Sequence, residues 1–231
     1  MFIKSLLRMN EEGFRAHKAV LRLLARARGC GTLLDIGCGD GRKTLLYADF
    51  LGLPAAKVNG IEAKVQYLSK GHSFEVSKID LEKDDFPWPD GSFDLVICNQ
   101  VLEHLKNMFL PLNEAARVLK PGGYLLIGIP NLAGLHNRLL LLLGRQPLCN
   151  HISGPHLRCF SYGPFKDFLA ENTGFSLEAS EGASLYPLPW PLNYWGARFL
   201  PAMSSSIFYL LRKTSSPIKP WAMEDRADTL L

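Results

Sequence analysis

Leu33-Leu34-Asp35-Ile36-Gly37-Cys38-Gly39-Asp40-Gly41 is the stretch from which the fold can be read. An apolar run delivers three glycines at alternate positions, and a helix-like segment, Arg42 to Leu51, follows at once. Strand, tight turn and helix are the expected elements. Glycines lack Cβ atoms and let a ligand approach the main chain closely. A helix start adds N–H groups that have no partner inside the helix. In dinucleotide enzymes such a turn holds pyrophosphate. Here Asp35 and Asp40 flank the glycines. Carboxylates at that place oppose a pyrophosphate and favour a ligand bearing an ammonium or sulfonium group. Together with the missing GxGxxG spacing, they disfavour a nicotinamide dehydrogenase.

Outward from this turn the pattern alternates. Residues Asn10 to Arg28 put Phe14, Val20, Leu21, Leu24 and Ala25 near helical spacing, and Thr32 to Ile36 is the first strand. A second strand ends near Ile61, with a helix-like Lys64 to Lys70 behind it, and Phe74 to Ile79 alternates as a half-exposed strand. Phe93 to Cys98 follows the turn Pro89-Asp90-Gly91-Ser92. A helix over Asn107 to Leu119 stops at Pro121-Gly122-Gly123, and Tyr124 to Ile129 is the next strand. Such alternation predicts a parallel sheet covered on both faces. Beyond it the expectation is a helix at Leu132 to Leu143, a polar loop at Gly144 to Pro155, and a helix at Pro164 to Asn172. Strands at Phe175 to Ala179 and Ser206 to Leu211 flank a Pro- and aromatic-rich stretch, Leu185 to Pro201.

Two more acids fall at strand ends. Glu62 lies about 20 residues past the glycine turn, where an acid accepts hydrogen bonds from both ribose hydroxyls of an adenosine. Asp80-Leu81 follows the third strand and offers a carboxylate for an exocyclic amine beside an apolar surface for a flat ring. Each acid alone also suits a helix cap or a turn. Their recurrence at successive strand ends, where open α/β sheets bind ligands, points to a nucleoside site.

The segments LLDIGCGDG (33–41), GIE (60–62), IDLEKDDFPWPDGSFDLVICNQVLEHL (79–105) and RVLKPGGYLLIGIPN (117–131) resemble the class I S-adenosylmethionine-dependent methyltransferases, in particular the small-molecule branch. The match covers Leu33 to Asn131. The resemblance implies an α/β, Rossmann-like, seven-stranded and mostly parallel sheet with helices on both faces and the last strand antiparallel. It sets Asp35, Gly37, Cys38 and Gly39 against the methionine part of the methyl donor, with Glu62 on the ribose and Ile61 or Ala63 beside the adenosine. Asp80 and Leu81 would hold the adenine, and Asn99 would face the donor's methionine end. Asp40 matches a variable position of the glycine motif.

Methyl transfer to an activated sulfonium is largely a matter of positioning, and a base is needed only if the acceptor must lose a proton. The candidate catalytic residues are His104, beside Glu103, and His156; His151 is a further histidine of the same region. His104 and Glu103 would otherwise cap the following helix. The stretch Gly154-Pro155-His156-Leu157-Arg158-Cys159-Phe160-Ser161 resembles a His-x-Arg-x-Phe loop that approaches the acceptor in relatives acting on small molecules or glycan and lipid precursors. His156 and Arg158 are the candidate acceptor contacts, with the alternative that Arg158 anchors the loop through backbone carbonyls. No Asn-Pro-Pro-Tyr motif follows the fourth strand, which weakens amine or amide methylation. The expected activity is therefore O- or C-methylation of a small-molecule or lipid- or sugar-linked acceptor. The alternative is an inactive donor-binding adaptor.

Composition sets the remaining bounds. The 231 residues suit one domain, with 1–30 a helical extension, 31–131 the donor-binding core, 132–212 acceptor-side insertions and final strands, and 213–231 an irregular tail. A net charge of +4 and no basic aromatic tract argue against a nucleic-acid partner. The basic start (Lys4, Arg8, Arg15, Lys18, Arg22, Arg26, Arg28) is expected to be a solvated helix face. The five cysteines form no CxxC pair, so no metal is expected, and Cys38 and Cys98 read as buried thiols of a reducing, cytoplasmic protein. Lys4 and Arg8 interrupt any signal-peptide core. Apolar runs such as Leu139–Leu143 fall far short of the ~20 residues that span a bilayer, and that run is expected to be core or a packed lid. Trp190, Tyr194, Trp195 and Phe199 are expected to pack in the core, with an apolar acceptor pocket or peripheral membrane contact as the alternatives. The oligomeric state is not legible.

Overall fold

The computed structural model of the chain describes residues 11–68, 71–172 and 174–222. Seven strands form one sheet in the order β3-β2-β1-β4-β5-β7-β6. They are β1 (Leu33–Ile36), β2 (Val58–Ile61), β3 (Glu75–Ser77), β4 (Phe93–Asn99), β5 (Leu119–Pro130), β6 (Phe175–Ala183) and β7 (Ser206–Lys213). β1 to β5 pair in parallel. β7 runs antiparallel to both β5 and β6, so the last strand of the chain is the one that opposes the others. The helices are α1 (Glu11–Leu24), α2 (Arg42–Leu51), α3 (Val65–Leu68), α4 (Phe109–Val118), α5 (Leu135–Leu142), α6 (Tyr162–Ala170) and α7 (Leu192–Phe199).

The period-2 geometry of strands splits the core in two. Leu33, Leu95, Ile97 and Leu126 point to one face, where Val20, Leu24 and Tyr47 of α1 and α2 cover them. Leu34, Ile36, Val96 and Ile127 point to the other, under Leu112 and Ala116 of α4 and Phe165 of α6. All four residues of β1 are buried, as a central parallel strand with two covered faces requires. Among the described residues no helix is long and apolar enough to cross a membrane.

The structure departs from the expected elements in several places, each with a local cause. The half-exposed strand at 74–79 shrinks to Glu75–Ser77, an edge strand that pairs only with β2. β5 starts earlier, at Leu119, because Leu119 pairs with Phe93 before the chain bulges at Lys120–Gly123 and resumes pairing at Tyr124 with Leu95. Gly123 permits the bulge: a Cβ there would sit 2.9 Å from the Asp94 and Lys120 carbonyl oxygens. The Pro-rich stretch contains a helix, α7, whose prolines precede its first turn, where a missing N–H costs nothing. The basic face of α1 is not simply solvated. Arg22 bonds Glu181 of β6 at 2.9 Å, tying the helix to the sheet. Asn10, Lys4, Arg8, residues 69–70 and residues 223–231 lie outside the described residues, as do the side chains of Phe14 and Arg15.

Among the described residues, 214–222 follow β7 without helix or strand and are docked on the core. Trp221 is buried, stacks on Phe175 at 5.4 Å, and exchanges two hydrogen bonds with the Asn113 side chain (2.8 and 2.9 Å). Replacing Trp221 with Ala is expected to cost about 3 kcal/mol by opening a cavity beside Phe175. Urea denaturation would measure it, and an unchanged midpoint would mean the tail contributes nothing to the core.

Candidate ligand site at the strand carboxyl ends

The strand order reverses between β1 and β4, and a crevice outside the carboxyl ends of strands forms at such a point. The glycine turn lies there. Gly37, Gly39 and Gly41 all have positive φ (74°, 57° and 74°), which side chains with a Cβ rarely adopt. Their surroundings differ. A Cβ on Gly41 would come within 2.7 Å of His72, and one on Gly37 within 2.5 Å of Val101. A Cβ on Gly39 would meet nothing within 4 Å. Gly39 therefore forms an open floor, while Gly37 and Gly41 are needed for packing.

The turn's N–H groups are largely taken. Those of Gly37 and Cys38 both donate to the Ile61 carbonyl (2.8 and 3.0 Å). Gly39 N–H donates to Glu62 Oε2 at 2.9 Å, and Arg42 N–H to Asp40 Oδ1 at 3.3 Å. Glu62 Oε1 accepts from Lys64 N–H at 2.8 Å, so one buried carboxylate ties the glycine turn to the loop after β2. A pyrophosphate site needs such N–H groups aimed at the ligand. Here acceptors of the protein occupy them.

The flanking acids differ in state. Asp40 is neutralised by Arg42, whose guanidinium lies 2.6 Å away. Asp35 is buried, accepts from the Thr44 hydroxyl, and has its carboxyl pushed up to about 7, mainly by burial. The electrostatic preference for a cation thus rests on Asp35 and Glu62 rather than on Asp40. Cys38 turns its thiol inward against Gly60, which leaves its main chain to face the crevice. Ile61 is fully buried below it.

At the β4 side, Asn99 Nδ2 donates to the Tyr47 hydroxyl at 3.2 Å, and its Oδ1 is buried with no partner. Gln100 follows with φ 60°, a strained value at the mouth of the crevice. His17 of α1 stacks on Tyr47 at 5.5 Å, both ring nitrogens buried without partners, and burial pushes its pKa down to about 4. Sequence patterns gave no signal for Tyr47 or His17, because each reads as an ordinary position of an amphipathic helix. On the far side, Asp80 is half exposed and forms a turn. Its carboxylate accepts from Glu82 N–H at 3.1 Å and pairs with Lys83 at 3.1 Å, which hold it below the usual carboxylate range. Leu81 beside it is buried.

A second cluster stands one turn past β4. Leu102, Glu103 and His104 form a short 3-10 turn. His104 and His156 meet edge to face at 4.8 Å. His104 Nδ1 lies 3.2 Å from the Pro155 carbonyl and His156 Nδ1 2.7 Å from that of Cys149, which leaves Nε2 of each ring as the free nitrogen. Glu103 is buried, both carboxylate oxygens lack a partner, and burial raises its pKa to about 7. Its Oε1 is 4.0 Å from His104 Nε2. The backbone completes the junction: Leu157 and Arg158 N–H both donate to the Glu103 carbonyl (2.7 and 3.1 Å). Arg158 bonds the Leu105 and Lys106 carbonyls and lies over the Phe109 ring, the loop-anchor geometry. His151 stays apart, bonded to Ser153. Glu103, His104 and His156 offer ligand atoms within 4.8 Å of one another, the one grouping among the described residues compact enough to gather a metal ion. A concavity of about 510 Å³ at the opposite ends of the strands, lined by Arg117 and Lys213, holds none of these groups.

Residues 34–127 match the family described as a methyltransferase domain. The chain is similar to a probable S-adenosylmethionine-dependent methyltransferase of Mycolicibacterium smegmatis, 31% identical over 73% of this chain and 61% of that protein. It is also similar to the 27-O-demethylrifamycin SV methyltransferase of Amycolatopsis mediterranei, 30% identical over 54% of this chain and 52% of that protein. The chain thus spans between half and two thirds of the length of these two relatives. Its fold matches the crystal structure of an S-adenosylmethionine-dependent methyltransferase from Archaeoglobus fulgidus with a TM-score of 0.60, at 18% identity over 85% of this chain and 94% of that one.

Asp35 makes a pH dependence testable. Its carboxyl is raised from an ordinary 3.8 to about 7, so the folded state holds a proton that the unfolded chain has released. Its contribution is full below about pH 4 and is lost as pH rises through about 7. Asp35→Asn should therefore be more stable than the parent at pH 8, on the order of 2 kcal/mol, with the gap closing near pH 4. Chemical denaturation at both pH values would check it, and a pH-independent difference would remove Asp35 as the titrating group.

Proposed function

We propose, from the match of residues 34–127 to the methyltransferase-domain family, that this chain moves a methyl group from S-adenosylmethionine to the oxygen or carbon of a small-molecule or lipid- or sugar-linked acceptor. The observation that carries this reading is the carboxylate-closed glycine turn, in which Glu62 holds Gly39 and no array of free N–H groups awaits a phosphate. A carboxylate has about four acceptor sites, so Glu62 keeps both backbone bonds and still accepts the ribose hydroxyls. Gly39 and the Cys38 main chain form the floor beneath the sulfonium nucleoside, Gly37 shapes the turn, and Asp35 gives up its proton beside the donor's positive charge near the methionine part. The unpartnered Oδ1 of Asn99 is the acceptor at that end. Ile61 borders the adenosine. Leu81 gives the adenine an apolar contact, and Asp80 exchanges Lys83 for its amine.

On the acceptor side, His104 is the proposed base. Its Nδ1–H is held by Pro155, burial lowers its pKa and keeps the ring neutral, and Nε2 is free to take a proton. The acceptor's O–H bond breaks to that nitrogen as the oxygen takes the methyl carbon. The carbon–sulfur bond breaks in the same step and leaves S-adenosylhomocysteine. Glu103 then faces the imidazolium. His156 borders the same space, and Arg158 acts by holding the loop. No metal and no nucleic acid enter this reading. The rifamycin relative's printed name, an O-methylation, supports oxygen as the acceptor atom.

Gly39→Val should abolish retention of S-adenosylmethionine in equilibrium dialysis, because its branched side chain enters the open crevice and does not hold the turn's φ of 57°, with circular dichroism run in parallel to show that the sheet is kept. Normal retention would show that the turn is not the donor floor. His104→Ala should lower turnover about 100-fold or more with donor affinity within threefold; matching losses in both would take His104 off the catalytic list. Turnover should survive a chelator. An inactive adaptor is distinguished by binding the donor while forming no S-adenosylhomocysteine with any acceptor in a panel or a cell extract.

A further inference from the structure

Every exposed large hydrophobic residue among those described lies between Leu139 and Leu200. The most exposed are Ile152 (90%), Leu142 (83%), Phe199 (74%), Leu143 (73%) and Trp190 (65%). Monomeric proteins rarely leave so much apolar surface in one region without a use for it. The segments involved are joined into one cap by two buried asparagines. Asn131 Nδ2 donates to the Ala202 and Ser204 carbonyls just after α7 (3.0 and 2.8 Å). Asn137 donates to the Asn131 carbonyl and accepts from Leu148 N–H, both at 3.0 Å. His136 of α5 meets Tyr186, ahead of α7, at 5.6 Å. α5, the 148–157 loop and α7 are therefore one connected surface, and its inner edge reaches Glu103 through Leu157.

The charge of this cap says what it meets. No Asp or Glu occurs in residues 115–166 or 182–223, so the whole cap is free of carboxylates. Arg138, Arg145 and Arg198 stand exposed among the leucines and aromatics. A second copy of the chain would bring arginines against arginines and find no acid to pair with them. Leu141, Leu142 and Leu143 are exposed at consecutive positions, so they cover more than one side of the helix end and do not form the single stripe that fills a protein groove. Large apolar side chains mixed with arginines, on helices too short to span a bilayer, are the features of an interfacial segment.

We propose that this cap docks the protein on an anionic lipid bilayer, and that the methyl acceptor is an amphiphile that reaches the part-exposed His104 from that surface. Trp190, Trp195, Phe199 and the leucines of 139–143 enter the headgroup boundary, and Arg138, Arg145 and Arg198 meet the lipid phosphates. The acceptor part of the proposal rests on the methyl-transfer reading; the docking part does not.

The test is co-sedimentation of the full chain with vesicles of phosphatidylcholine alone and with vesicles containing phosphatidylglycerol. Binding is expected to the anionic vesicles, to weaken with added salt, and to be accompanied by a blue shift of tryptophan emission. The double substitution Leu142→Glu, Leu143→Glu lies on exposed positions outside the donor site and should lower vesicle affinity about tenfold or more. Arg145→Glu, Arg198→Glu should do the same for anionic vesicles, also by about tenfold. Donor retention is measured on each variant in parallel. Loss of vesicle binding with retained donor supports docking, whereas vesicle binding with no donor retention by the parent would sink the methyltransferase reading and leave docking standing. Equal affinity for neutral vesicles, no vesicle binding at all, or a dimer broken by the leucine substitutions would overturn the proposal.

Discussion

One carboxylate, that of Glu62, holds the chemistry-bearing end of the molecule together. Its two oxygens accept the N–H groups of Gly39 and Lys64, and so clamp the loop after β1 to the loop after β2. An acid can be buried there because both oxygens are hydrogen-bonded, which offsets the loss of water. The same bonds withdraw N–H groups that would otherwise attract an anion. The clamp therefore determines the shape of the turn and takes up N–H groups there.

The acids around the glycines do not contribute equally. Asp40, the more exposed, is cancelled by its own neighbour Arg42, while Asp35 lies deep enough to hold a proton near neutrality. A buried acid with a raised pKa gains from a nearby positive charge, since the ligand replaces the missing solvation. Burial acts in the same direction on Glu103 at the second cluster, whose oxygens face His104 without a partner. Two carboxyls raised to about 7 by burial thus lie at the end of β1 and just past β4, the charge environment on which the proposed methyl transfer draws.

The cap over this crevice follows a different rule. Its supports are polar and buried, Asn131 and Asn137, and its outer surface is apolar and cationic. That inverts the usual arrangement of a soluble surface. Buried apolar residues of the region, Leu185 and Ala197, and the hydrogen bonds of Asn131 and Asn137 together hold the cap in place.

Local order was largely written in the sequence. The apolar run ending in alternate glycines, the acids at successive strand ends and the Pro-Gly-Gly stop all depend on neighbours a few residues apart, and the parallel sheet with a glycine turn at its strand ends followed from them. Contacts distant in sequence were not legible. That Arg42 cancels Asp40 while burial raises the Asp35 carboxyl against the opposing Thr44 hydrogen bond, that Arg158 is committed to carbonyls of 105 and 106, that His17 lies on Tyr47, and that Trp221 closes the core against Phe175 depend on where the chain returns to itself. The helix α7 was hidden because its prolines read as breakers, although they stand where a helix tolerates them. Sequence by itself thus determined the fold class and the position of the glycine turn at the end of the first strand, since periodicity and glycine geometry are local properties. Only the tertiary structure decided which charges remain uncompensated and which apolar residues stay in water, because both depend on burial and burial belongs to the whole molecule.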